Sequence, residues 1–177
     1  MKTRYIFPLF FLLALGTFSS CDLFNKADDV SFDVVLPLNF TIDEKADNPG
    51  GKAYTDSKLL DANANAEVAK YAPKITAFKV NKVTYTISGA NPATVTFTNG
   101  ALKVSSTGKT IASASSVSLS NTAETELTAD SAGFNELAAK LLDDKQELVI
   151  LNGTLSKTPV AFSVKANFYV TITADAL

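Results

Sequence analysis

An antiparallel β-sandwich of immunoglobulin-like, Greek-key style, with one or two short packed helices, is the fold this sequence predicts. Three observations point to it. Two long stretches, Val30–Ile42 and Val160–Ile172, alternate apolar and polar residues. Between them lie short strand-like runs separated by Gly, Pro and Asn. One stretch, after Asp130, carries a full helical stripe. Period-2 alternation marks a strand with one buried face, and short strands punctuated by turn residues argue for a sandwich.

The first segment stands outside that fold. Lys2 and Arg4 precede a run, Tyr5 to Phe18, that is apolar except for Pro8, Gly16 and Thr17. A run of this length cannot cross the ~30 Å of bilayer hydrocarbon, which takes about 20 helical residues. It has the pattern of a secretory signal. Phe18-Ser19-Ser20-Cys21 resembles the lipobox of bacterial lipoproteins: an apolar residue, two small ones, and the cysteine that takes the lipid. Phe18 stands where that family usually has leucine. The resemblance covers this segment alone. It implies that Cys21 becomes the first mature residue and carries three acyl chains, more than the roughly two signals that stable anchoring takes. The alternative is cleavage after Ser19, which leaves a plainly secreted protein with an unpaired thiol. The expected organisation is residues 1–20 as signal, 21–29 as lipidated tether and 30–177 as one domain. The expected location is the cell envelope, at the outer membrane, on a face the sequence does not specify.

Composition narrows the chemistry. Beyond Cys21 the chain has no histidine, arginine, tryptophan, methionine or second cysteine. That removes the commonest general base and metal ligand, the bidentate anion clamp and the thiolate nucleophile. Loss of Lys2 and Arg4 from the 16 basic residues, against 18 acidic ones, leaves an acidic domain. Nucleic acid is an unsuitable partner for it. No enzyme, cofactor or metal is expected.

In the first strand Val30, Phe32, Val34, Leu36, Leu38, Phe40 and Ile42 share one face, and Pro37 marks an edge or a bend. Asp43–Tyr54 reads as a turn-rich loop whose acids lack calcium-loop spacing. Ser57–Ala72 reads as a helix stopped by Pro73, with Leu60, Ala64, Val68 and Tyr71 as its stripe. The apolar parity of Lys74–Ser88 shifts at Asn81, which predicts a bulge in one long strand. Gly89–Pro92 is a predicted turn. Asn99-Gly100 between alternating runs is a strong hairpin signal, and Asn152-Gly153 is read as a further turn. Lys109–Ser120 is a weaker strand. Phe134, Leu137, Ala138, Leu141 and Leu142 form one helical face behind an N-cap at Asp130 or Ser131. Leu148–Leu151 reads as a buried run.

Candidate chemistry is sparse. Ser106–Thr110 contains an S-x-x-K match without its partner motifs and sits in an inter-strand turn. Carboxylate pairs would have to come from Asp33, Asp43–Asp47, Glu124 and Glu126, or Asp143 and Asp144, and spacing selects none. Tyr169 and Lys165, on the polar face of the last strand, and Tyr54, in the predicted loop, are the candidate ligand-binding residues. The leading expectation is a lipid-anchored binding or structural module with an unidentified protein or glycan partner. The alternatives are a surface glycan-binding adhesin and a histidine-free carboxylate hydrolase.

Overall fold

A computed structural model describes residues 29–175. The signal segment, Cys21 and the tether up to Asp28 lie outside the described residues.

Among the described residues, nine antiparallel strands form two facing sheets, in the orders β1-β9-β3-β6 and β2-β8-β4-β5-β7. They are β1 Asp29–Asn48, β2 Lys52–Asp61, β3 Ile75–Asn91, β4 Thr96–Val104, β5 Thr110–Ser118, β6 Thr125–Glu126, β7 Thr128–Ala129, β8 Gln146–Leu155 and β9 Thr158–Asp175. The all-β antiparallel sandwich is therefore what the chain forms. Its strand order is that of a jelly roll, with β7 as a short addition beside β5, rather than the immunoglobulin order. The cause is the pairing of the two long strands with each other, in register from Asp29↔Asp175 to Glu44↔Val160. Their apolar faces then line one wall of the core, with Leu36, Phe40, Ile42, Phe168 and Ile172 each 2 % exposed or less.

Several local expectations give way to this pairing. Asp43–Tyr54 is mostly strand: β1 continues to Asn48, the chain turns at Pro49-Gly50, and β2 starts at Lys52. Ser57–Ala72 is not one helix. β2 holds its register against β8 through Asp61↔Gln146, and only Ala66–Tyr71 (α1) is α-helical, after a 3-10 turn at Ala62–Ala64. Ladder hydrogen bonds to β8 outweigh the weak helical stripe. Residues Gly89 to Asn91 belong to β3, so the turn begins at Pro92.

Neither Asn-Gly pair makes a turn. Asn99-Gly100 lies inside β4 and Asn152-Gly153 inside β8. A tight hairpin of the favoured type needs positive φ at both central residues, and here only Asn99 has it (φ 51°). The register of β4 against β8 slips by one residue at that point, which makes Asn99 a bulge. The glycines serve the Phe97 ring instead. A Cβ on Gly153 would sit 2.3 Å from Phe97 Cζ, and one on Gly100 3.1 Å from Phe97 Cε1.

The bulge at Asn81 is present, as a register shift between Val80 and Lys82 in the β3–β9 ladder. Pro37 lies in β1, the edge of its sheet, where a missing N–H costs no ladder bond. The second helix, α2 (Ser131–Asp144), starts at the Asp130 cap, whose carboxylate accepts from Ala132 N at 2.9 Å and Gly133 N at 3.2 Å. Its buried Phe134, Leu137 and Leu141 pack against β3 of one sheet and β5 and β8 of the other. The Leu148–Leu151 run alternates: Val149 and Leu151 are buried, but Leu148 is 44 % exposed beside Leu59, 50 % exposed.

Candidate functional site

β9 runs between β1 and β3, so its outward residues form the middle column of a broad face. Across it the register sets Asp33–Thr171–Lys79, Val35–Tyr169–Lys82, Pro37–Asn167–Thr84 and Asn39–Lys165–Thr86 in successive rows. These residues point outward because their neighbours Val34, Leu36, Leu38, Phe168 and Val170 fill the core.

Two hydrogen-bonded clusters order this face. In the first, Asn81 Nδ2 donates to Thr171 Oγ1 at 2.8 Å, and Thr171 Oγ1 donates to Asp33 Oδ1 at 2.6 Å. Asn81 is the bulged residue, so the irregularity in β3 brings its amide onto Thr171. In the second, Glu124 Oε1 accepts from Thr84 Oγ1, from Tyr169 OH at 2.9 Å and from Asn167 Nδ2 at 3.2 Å. Glu124 belongs to the β5–β6 connection, and its carboxylate ties that connection across β3 and β9. The Oδ1 of Asn167 is buried without a partner among the described residues. The Lys82 ammonium lies 4.5 Å from the centre of the Tyr169 ring, a cation–π distance.

The charge states follow from these contacts. Hydrogen bonds from Thr84, then Tyr169 and Asn167, hold the Glu124 carboxyl below the usual carboxylate range. The same bond to Glu124 raises the Tyr169 phenol. A general acid for glycoside cleavage needs a raised carboxyl, so Glu124 is shifted the wrong way for that task.

Between the two clusters runs an open groove of about 370 Å³, lined by Asp33, Val35, Asn81, Lys82, Glu126 and Tyr169 among others. Tyr169 thus lines this groove, with Asn81, Lys82 and Glu126 as neighbours that periodicity alone did not select. Lys165 is on the same face but four residues along β9, about 13 Å away at the usual strand rise. Tyr54 is elsewhere. It lies in β2 of the other sheet, not in a loop, and its ring packs edge-on against Phe97 at 6.4 Å. Burial, then the nearby Asp56 and Glu44 carboxylates, push its phenol up to about 12. The three expected ligand residues therefore do not converge.

Other candidates resolve into structure. Ser106–Lys109 lie in the β4–β5 connection and Thr110 opens β5; Ser106 N donates to Glu147 Oε1 at 3.1 Å and Lys109 pairs with Glu136 at 2.7 Å. Between the sheets, an apolar cavity of about 40 Å³ beside Phe97 and Ala166 is too small for an acyl chain. Among the described residues no group of three or more His, Cys, Asp or Glu side chains is placed to hold a metal ion. Nor is any helix there long and apolar enough to cross a membrane.

No protein-family model and no curated protein matches the chain. Among solved structures, it is similar to a decameric BFDV capsid protein, at 11 % identity and a TM-score of 0.47, over 81 % of this chain and 99 % of that one. It is also similar to a Desmodium yellow mottle tymovirus chain, at 12 % identity and a TM-score of 0.39, over 84 % of this chain and 90 % of that one.

Proposed function

We propose that the protein is a lipid-anchored, non-catalytic binding or structural module of the cell envelope. One observation carries this reading. The sole cysteine, Cys21, closes an apolar signal segment in a lipobox-like Phe-Ser-Ser-Cys, and β1 begins only eight residues later, at Asp29. An acylated Cys21 would hold the sandwich close to the lipid surface, since eight flexible residues span roughly 16 Å. The non-catalytic part is supported by the lack of histidine, arginine and thiol beyond Cys21.

The test is fractionation of cells expressing the full chain, with mass analysis of the mature N-terminus. Wild type is expected in the membrane fraction, with acyl chains on Cys21, and Cys21→Ser in the soluble fraction. Membrane retention of Cys21→Ser, or an unacylated wild-type N-terminus, would sink the anchor. Protease shaving of intact against lysed cells then assigns the membrane face.

A further inference from the structure

We propose that the groove on the outer face of β1, β9 and β3 binds a neutral saccharide, whose hydroxyls donate to Asp33 and Glu126 and accept from Asn81 and Lys82. The inference rests on reading the domain as a binding module, and it names the ligand class and the site. It does not depend on the lipid anchor.

The groove's volume of about 370 Å³ falls within the roughly 300–1,000 Å³ of small-ligand sites. Its side chains are held in place before any ligand arrives. Asn81 and Asp33 are joined through Thr171, and Tyr169 is fixed by Glu124 on its hydroxyl and by Lys82 on its ring. The bulge that positions Asn81 is one of three register shifts in the β3–β9 ladder and the one that falls at the groove, and bulges re-aim side chains beside functional sites.

Charge decides the ligand class. Asp33 and Glu126 line the groove with Lys82 beside them, and none of the three forms an ion pair among the described residues. An anion would meet the two carboxylates, and a cation would meet the ammonium. A hydroxyl both donates and accepts, so vicinal hydroxyls donate to Asp33 and Glu126 and accept from Lys82 and Asn81. Exposed Val35, in the same row as Tyr169, supplies apolar surface for a ring's C–H face. Because Lys82 lies over the Tyr169 ring, hydrogen bonding rather than stacking on that ring is the main recognition.

The experiment uses the full chain in phosphatidylcholine nanodiscs on an array of neutral, sialylated and sulfated glycans, followed by calorimetric titration of the best neutral oligosaccharide. Binding of neutral glycans is expected, with affinity nearly constant between about 0.05 and about 0.5 M salt, because no net charge is exchanged. Asp33→Ala and Lys82→Met should each weaken it about tenfold, the equivalent of one charge-assisted hydrogen bond. Leu59→Ser, on the opposite sheet, should leave it unchanged, and thermal melts confirm that all three variants fold. Any of three results overturns the proposal: no neutral glycan bound, binding confined to anionic glycans, or wild-type affinity in both Asp33→Ala and Lys82→Met. Retention on the nanodisc reports the anchor separately, so either reading can fail without the other.

Discussion

Replacing Gly133 by alanine sets two physical effects against each other. Gly133 is the third residue of α2. By helix propensity alone, alanine in place of glycine stabilises a helix interior by about 1 kcal/mol. The packing says the reverse. A Cβ at this position would lie 1.8 Å from the Thr110 carbonyl oxygen, 2.5 Å from its carbon and 2.8 Å from Ile111 Cα. Those atoms are β5 backbone, so no side chain can swing away. Restoring even a 3.0 Å contact moves the helix start by about 1.2 Å. That displacement strains the Asp130 cap and the Asp130 N→Ile111 O bond of 3.0 Å, and it lifts Phe134 and Leu137 from the core. Overpacking costs about 1–3 kcal/mol or more, and a weakened cap about 1 kcal/mol. The propensity gain of about 1 kcal/mol offsets only part of this. Gly133→Ala should therefore lower stability by about 1–3 kcal/mol, or Tm by roughly 2–12 °C for a domain of this size. Thermal and urea unfolding followed by circular dichroism measure it. An unchanged or higher Tm would refute the claim that α2 sits directly on the β5 backbone.

Further perturbations test other parts of the structure. Gly89→Ala meets no atom within 4 Å but keeps φ at +65°, so backbone strain alone should cost about 1–2 kcal/mol in the same urea assay. Phe97→Ala empties the ring site over Gly100 and Gly153 and should cost about 3–5 kcal/mol; a loss under about 1 kcal/mol in urea would contradict that packing. The Tyr54 phenol, raised to about 12 from its ordinary 10.0, favours the folded state fully below pH 10. That contribution is lost as pH rises from 10 through about 12, so the urea midpoint of Tyr54→Phe should fall less than wild type over this window. The Glu124 carboxyl, lowered from 4.5, contributes stability that is complete above 4.5 and lost as pH falls through its folded value. Glu124→Gln should accordingly show a flatter midpoint-against-pH curve below 4.5 than wild type, and parallel curves would mean the three donors do not hold that carboxylate.

What the sequence revealed and what it concealed follow from the range of the interactions. The long alternations of β1 and β9, the α2 stripe with its Asp130 cap, and the Asn81 bulge were legible because each is written in the residues of one element. The Asn-Gly pairs misled for the opposite reason. Their local preference is a hairpin, but the space for the Phe97 ring is created jointly by Gly100 and Gly153, about fifty positions apart. The stretch from Ser57 to Ala72 misled similarly. Leu60 is buried as part of a strand, and the pairing that makes it one comes from β8, more than eighty residues on.

The site divides along the same line. The outward placement of Tyr169 and Lys165 was legible because strand parity alone sends them outward from β9. Tyr54 has the same kind of signal, but the turn residues of Asp43–Tyr54 mask the strand, so its inward ring is not legible from parity. Glu124 could be noticed as an acid yet not as a ligand of Tyr169, since the two are 45 positions apart. The sequence did hold one clue to the groove, the Asn81 bulge. A bulge shifts every later side chain in its strand by one position relative to its partner. Here that shift places Lys82 in register with Tyr169 and Thr84 with Asn167. With an unbroken ladder, Lys79↔Thr171 would be followed two steps later by Asn81↔Tyr169, and Val83 would face outward against Asn167. The groove would then lose its ammonium, and a valine would be exposed on the polar face. The same inserted residue thus keeps Val83 in the core and places Lys82 on the Tyr169 ring, so deleting Asn81 should leave Lys82↔Tyr169 and Val83↔Phe168 in register and take from the face only the amide that donates to Thr171.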